Sequence, residues 1–394
     1  MKKKTNKRLV RKPSFFAYYF VAPLLILYYR LIVKFRRNKT KIRKNSLVIA
    51  PHRGYFDFVT VPLAIYPVRA HNVATSYWFR NKKLGKFLRF MGCIRKDQYK
   101  SDILAIKEMS DCFKHGDTVL MFPEGQMSPD GTSQILAPGL ERLIKKYKPN
   151  VYFVNTNGAY LIGPKWHLKI GRGVVDVKTD LIIKEEDIDN LSQDEILTII
   201  NNKFKENDDL TWVKSHPEYK YKSKTKAEGL QKIVYSCPKC HKEHTLKTNK
   251  RSIDCDCGFH LEFEKDSFNF KENEYFKDLK ELLNYEKSLI VSDVKENSVY
   301  SSNARITYYE QLDAIETEYN KVEMTNDTIS LISDTERLDI EIDKVINLVC
   351  TLEMSFEIPT PQKTYRIYTS EGYDVIKYWM RFRYLKENGG TNES

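Results

Sequence analysis

Two short apolar runs, each stopped by a proline, constrain this chain most. Leu47-Val48-Ile49-Ala50 is apolar and β-branched and reads as a buried strand. It stops at Pro51, which has no N–H to give to a ladder. Thr118-Val119-Leu120-Met121-Phe122 repeats the pattern about seventy residues on and ends at Pro123-Glu124-Gly125. Such runs, with helical patterns between them, predict an α/β fold whose chemistry sits in strand-end loops, where open α/β sheets form their crevices.

His52 falls just past the end of the first run, and Asp57 follows five residues later, after Gly54, which permits a tight turn. A turn of that length can fold a carboxylate back onto an imidazole. The carboxylate would accept from one ring nitrogen and leave the other to take a proton from a hydroxyl. No Ser or Cys stands where an enzyme nucleophile is needed, so a substrate hydroxyl would attack directly. A lone His-x4-Asp is commonly a turn or a cap. A second strand-end loop with Pro-Glu-Gly, in this order and separation, is a far rarer coincidence.

The pair of loops resembles the glycerolipid acyltransferase family, which acylates lysophosphatidate and related glycerophosphate acceptors. That family shows His-x4-Asp in its first block and Phe-Pro-Glu-Gly, here Phe122 to Gly125, in its third. The resemblance covers roughly residues 15–215. It implies an acyltransferase-type α/β core lying on a membrane, with acyl transfer from acyl-CoA or an acyl carrier protein thioester to a lipid hydroxyl in phospholipid biosynthesis. His52 would be the base and Asp57 its partner, with Glu124 and Gly125 in the acceptor site. Arg53, Arg95 and Lys96 would counter a phosphate. The chain departs from the family at Pro51, where Asn is usual, and at Gln126-Met127-Ser128, where Thr-Arg-Ser is common. It departs again at Gln98, where Arg closes the second block, and at Val154-Asn155-Thr156, where Val-Pro is usual. The chemical pair is intact and the phosphate-binding pattern is degraded. A lipid-binding or scaffold protein that keeps the fold and has impaired catalysis is therefore the alternative.

Charge is spread unevenly. Residues 1–50 hold fifteen Lys and Arg and no acid, against +13 for the whole chain, so the remainder sums to −2. Beside this basic segment, Ser14 to Tyr29 is apolar and aromatic, interrupted by Pro23 and followed by Arg30. Sixteen residues are short for a spanning helix, which needs about 20. The reading is a membrane-embedded helix pair in one leaflet, on the cytoplasmic face, with Lys and Arg at the headgroups; a single tilted span is the rival. No Ala-x-Ala cleavage site is present. A basic arm can also meet nucleic acid, but no aromatic-basic groove pattern accompanies it, and no nucleic-acid partner is expected.

Further along, Val59 to Ile65 predicts a helix, Val68 to Ala74 a strand and Ser101 to Lys114 an amphipathic helix ended by His115-Gly116. Tyr77-Trp78-Phe79 with Arg80, Lys82, Lys83, Lys86 and Arg89 makes an aromatic and basic face. It suits an acidic cosubstrate such as coenzyme A, or is a solvated surface. Pro138-Gly139 opens a helix Leu140 to Tyr147, and Val151 to Val154 is a short strand. Ser192 and Glu195 form a capping box for a helix to about Lys205. His71, His115 and His167 have no evident partner and read as structural.

Four of the seven cysteines cluster: Cys237-Pro238-Lys239-Cys240, then Cys255-Asp256-Cys257-Gly258. Two pairs on two turns supply four thiolates to a structural Zn2+, as in a zinc ribbon. His260 could replace Cys255, and a redox dithiol at Cys237 and Cys240 is the rival. Residues 262–394 show short alternating strands and a closing helix, Tyr373 to Leu385, an order of elements like a pleckstrin-homology-type barrel, or else an unclassified α+β domain. The expected domains are thus a membrane-associating N-terminus over 1–45, an acyltransferase domain over 46–215, a zinc ribbon over 230–265 and a β-rich α+β domain over 266–390. The last residues, from Asn388, are expected to be disordered.

Overall fold

The computed structural model describes residues 8–38, 40–97, 102–167, 169–206, 208–310, 313–351, 355–370 and 374–389. Gln98, the first seven residues and the tail beyond 389 lie outside the described residues. The chain divides into two compact units. One comprises residues 1–127, 132–160 and 173–212; the other comprises 128–131, 161–172 and 213–394.

The first unit is built on a seven-stranded sheet. Its strands are β1 (Lys34–Arg37), β2 (Ser46–Ile49), β3 (Ala70–Thr75), β4 (Ile94–Lys96), β5 (Thr118–Met121), β6 (Asn150–Asn157) and β7 (Val174–Ile183). The order is β1-β7-β6-β2-β5-β3-β4. All four residues of β2 and of β5 are buried, which is why both read as unbroken apolar runs: a central parallel strand is covered on both faces. β2 pairs in parallel with both β5 and β6, so the chain leaves β2 in one direction and returns on its other side.

Helices close the sheet. In Ile103–Lys114 the side chain of Asp102 caps the amide of Ala105 at 2.9 Å. Its Ala105, Met109, Cys112 and Phe113 join a core with Val119, Ile144 and Phe153. Gln193–Lys205 begins with the Ser192/Glu195 capping box and buries Ile196, Ile200 and Phe204 at a spacing of four. The three histidines are held within the fold: His71 Nδ1 bonds Gly92 O at 2.8 Å with Nε2 3.5 Å from Asp117 Oδ2, His115 Nδ1 bonds Asp111 O at 2.7 Å, and His167 spans Lys169 O and Thr225 Oγ1.

The N-terminal apolar stretch corrects the expected helix pair. It is one continuous helix, with a π-helical segment Ala17–Val21 running into Ala22–Ile32. Pro23 has no N–H and crowds the carbonyl four residues earlier; widening the turn just before it relieves that clash. No helix among the described residues is long and apolar enough to cross a membrane. β1 follows directly and pairs with β7. Its sequence, Lys-Phe-Arg-Arg, gave no strand signal because an edge strand needs little apolar content.

In the second unit, β8 (Lys247–Asn249), β9 (Ser252–Asp254) and β10 (His260–Glu262) form a small antiparallel sheet. A larger sheet holds β11 (Tyr300–Glu310), β12 (Asp313–Glu316), β13 (Lys321–Met324), β14 (Thr328–Ile332), β15 (Arg337–Glu341), β16 (Val349–Cys350), β17 (Phe356–Pro359) and β18 (Thr364–Thr369). All its pairings are antiparallel. The helix Asp374–Asn388 packs Val375, Ile376, Trp379 and Phe382 into the core. It continues through Asn388, where the sequence reading expected disorder to begin.

Candidate active site and candidate metal centre

The sheet register brings the two proline-stopped loops together. Ile49 of β2 stands opposite Met121 of β5, and the Ala50 amide donates to Met121 O at 3.3 Å. His52 and Glu124 therefore emerge side by side. The Phe122 ring stacks on the His52 imidazole at 4.6 Å between centroids.

Asp57 is the first residue of the helix Asp57–Ala64, where a negative charge meets the positive end of the helix dipole. Its Oδ2 faces His52 Nδ1 at 3.1 Å and accepts from the amides of Arg53 at 2.6 Å and Gly54 at 2.8 Å. The Asp57 side chain is fully buried, while 26% of the His52 side chain is exposed. An acceptor carboxylate opposite Nδ1 places the ring proton there. Nε2, with no partner among the described residues, then presents a lone pair outward. Gly54 is required: a Cβ there would stand 2.5 Å from the Ala159 carbonyl oxygen.

Glu124 is fully buried and both its oxygens are engaged. Oε2 accepts the His52 amide and Oε1 the Gln134 amide, each at 2.8 Å. Burial pushes its carboxyl pKa up, and these amides with the nearby Arg53 and His52 charges pull against that. Gly125 turns the chain at a φ of 69°. Glu124 therefore buckles the His52 loop to the segment at Gln134.

Arg53, expected to counter a phosphate, has a wholly buried side chain, 3.3 Å from Asp209 Oδ1 and 3.4 Å from Ser133 Oγ. Burial pushes the Asp209 carboxyl up to about 6, against the pull of Arg53 and of the Tyr160 and Gly158 amides. Asp209 was missed in the sequence, where it is one acid in a polar stretch with no periodicity to mark it.

Arg95 and Lys96 end β4 at the same sheet edge as the His52 loop. Three strand spacings separate β4 from β2, about 14 Å. Arg95 pairs with Asp97 at 3.2 Å; Lys96 Nζ bonds Asp97 O at 3.1 Å, and partial burial lowers its pKa. Met127, at the position where the family carries Arg, is 7% exposed. Such a place suits a thioether better than an unpaired charge.

In the second unit, one Sγ from each of Cys237, Cys240, Cys255 and Cys257 lies within 4.8 Å of the others. The 237–257 and 240–255 separations are 3.6 and 3.9 Å. A tetrahedral zinc with Zn–S near 2.3 Å needs sulfurs roughly 3.8 Å apart, so the donor set fits one ion. Gly258, at φ 86°, completes the second turn and donates to Cys255 O at 3.0 Å. All four cysteines are free. His260 stands outside the cluster and bonds Asp254 at 2.6 Å.

Residues 32–155, the segment that holds His52, Asp57 and Glu124, match the model of the Acyltransferase family. The 1-acyl-sn-glycerol-3-phosphate acyltransferase of Bacillus subtilis (strain 168) is 32% identical over 90 residues, 22% of this chain and 45% of that protein. The chain thus matches less than half the length of that curated relative. Among solved structures, the 1-acyl-sn-glycerophosphate acyltransferase PlsC from Thermotoga maritima aligns at 18% identity with a TM-score of 0.41, covering 47% of this chain and 76% of that one. The N-terminal PH domain of human ARAP2 aligns with 25% of this chain and 87% of its own, at 11% identity and a TM-score of 0.21.

Proposed function

We propose that this protein transfers a fatty acyl group from a thioester, on coenzyme A or an acyl carrier protein, to a hydroxyl of a lysophosphatidate-like glycerolipid. The observation that carries the reading is the His52–Asp57 pair, with Nδ1 turned to a buried carboxylate and Nε2 turned outward. The acceptor hydroxyl gives its proton to Nε2 as its oxygen adds to the thioester carbonyl. The tetrahedral intermediate collapses, the C–S bond breaks, and the imidazolium returns the proton to the departing thiolate. Asp57 stabilises the imidazolium formed on the way. Glu124, Gly125, Arg53 and Asp209 act as positioning residues, holding the loop that carries His52. Arg95 and Lys96 are the cations left to counter an acceptor phosphate.

The reaction takes place on the cytoplasmic face of a membrane. Along the N-terminal helix, Phe15, Phe16, Phe20, Leu24, Leu27 and Tyr28 are 58–67% exposed. Apolar surface on that scale needs a cover, and a bilayer leaflet supplies one. In the second unit, the four thiolates hold a structural zinc with no position left open for substrate.

The test is transfer of a labelled acyl group from acyl-CoA to lysophosphatidate by the full chain and by His52→Ala. Loss of transfer in the variant, with an unchanged circular dichroism spectrum, supports the reading. Saturable lipid binding without turnover by the unaltered chain would favour the scaffold alternative.

A further inference from the structure

Residues 8–13 are pinned to the sheet edge opposite His52. Arg8 pairs with Asp117, which immediately precedes β5; the Leu9 amide donates to Asp111 Oδ2 at 2.8 Å; Val10 is 4% exposed in the core. Gly92, just before β4, packs so closely that a Cβ on it would lie 2.8 Å from Arg11 O. Between this segment and the helix Lys82–Phe90 lies a cavity of about 370 Å³ lined by Leu9, Val10, Arg11, Lys86, Arg89 and Phe90.

The lining is cationic on an apolar floor. Arg89 holds Glu108 with one guanidinium nitrogen, at 2.8 and 3.0 Å. Arg11 lies over the Phe90 ring at 4.9 Å. Neither Arg11 nor Lys86 has an acidic partner among the described residues. Two unneutralised cations and one half-used guanidinium converge where no carboxylate lines the wall. Of the apolar lining, Leu9 and Phe90 are 60 and 41% exposed. A small soluble anion would use the charges and leave that lining in water. A phosphodiester with acyl chains beneath it satisfies both.

We propose that this cleft binds the headgroup of an anionic membrane phospholipid, as a site separate from the catalytic edge. The proposal rests on the membrane part of the reading above and not on its chemistry. Near an anionic surface each Lys or Arg contributes enough for roughly fivefold in affinity, so removing two costs about thirtyfold.

The experiment is partition of the full chain onto vesicles of phosphatidylcholine, with and without one-third phosphatidylglycerol. The expected result is preference for the anionic vesicles, reduced about thirtyfold in Arg11→Ala/Lys86→Ala. Acyl transfer to a detergent-dispersed acceptor should be unchanged in the single variant Arg11→Ala. The control pair Lys107→Ala/Lys205→Ala, exposed on other helices, should lose no more than about twofold. Equal loss in the two pairs would make the attraction diffuse and overturn the site, as would full retention in the first. Displacement by millimolar inorganic phosphate would assign the cleft to a free anion instead. Absence of vesicle binding by the unaltered chain would sink this proposal with the membrane reading. Transfer in detergent would still decide the chemistry independently.

Discussion

The two sites are assembled in opposite ways. His52 and Glu124 are 72 residues apart and meet because two central strands run parallel in a fixed register. The four cysteines lie within 21 positions and meet through two local turns and a short hairpin. The first site depends on the whole sheet. The second is assembled within its own neighbourhood. A site of the first kind is braced by buried charged groups far apart in the chain, such as Glu124 and Arg53. In a site of the second kind, the ligands themselves are the support.

The sharpest break in this comparison is His52→Ala. His52 is partly exposed and carries no core packing, so the fold should stand while transfer falls by about 10²- to 10⁴-fold, the usual share of a general base. Labelled-acyl transfer alongside a melting curve reads both. The converse experiment is metal removal. A strong chelator should unfold the cysteine module, because binding energy and folding energy are one quantity there. Zinc analysis should show one ion per chain, and Cys240→Ser should abolish it.

Glu124→Gln probes the buckle. The amide can accept from one backbone N–H but turns a donor toward the other, leaving a buried group unmade at about 1–3 kcal/mol. Stability in urea should fall by that amount, and transfer should fall with it because His52 is displaced.

Asp209 adds a pH signature. Its folded pKa, about 6, lies above the ordinary 3.8, so the folded state binds the extra proton between those values. The stability this contributes is present below the unfolded value and lost as pH rises through about 6. Urea midpoints at pH 4.5 and 6.5 should show that slope in the natural chain and not in Asp209→Asn, which is also less stable at pH 6.5, where Arg53 loses a charged partner. The smallest effect expected is Ser192→Ala. It removes a helix cap at a cost of about 1 kcal/mol and should leave both sites untouched.

Local chemistry was legible in the sequence where one short signal suffices. The capping box at Ser192, the helix Leu140–Tyr147 behind Pro138-Gly139, the buried runs of β2 and β5 and the cysteine pairs all could be read directly. What escaped depends on partners far away in the chain. Nothing near Arg53 in the sequence announces its partner Asp209. The amides that Glu124 accepts belong to other segments. β1 was invisible because its four residues acquire meaning only beside β7. The N-terminal helix was read as two because Pro23 suggested a break, and a π-turn absorbs it instead.

That pairing of β1 with β7 orders events during synthesis. The greasy helix at Ala22–Ile32 and the strand behind it are synthesised before their partner, and Lys34 to Arg37 must wait for Val174 to Val177, about 140 residues later. A nascent chain of this protein therefore carries an uncovered sticky segment through most of the domain's translation. An early encounter with lipid would shield the helix from the moment it is made, and the edge strand would find its mate with that face already covered.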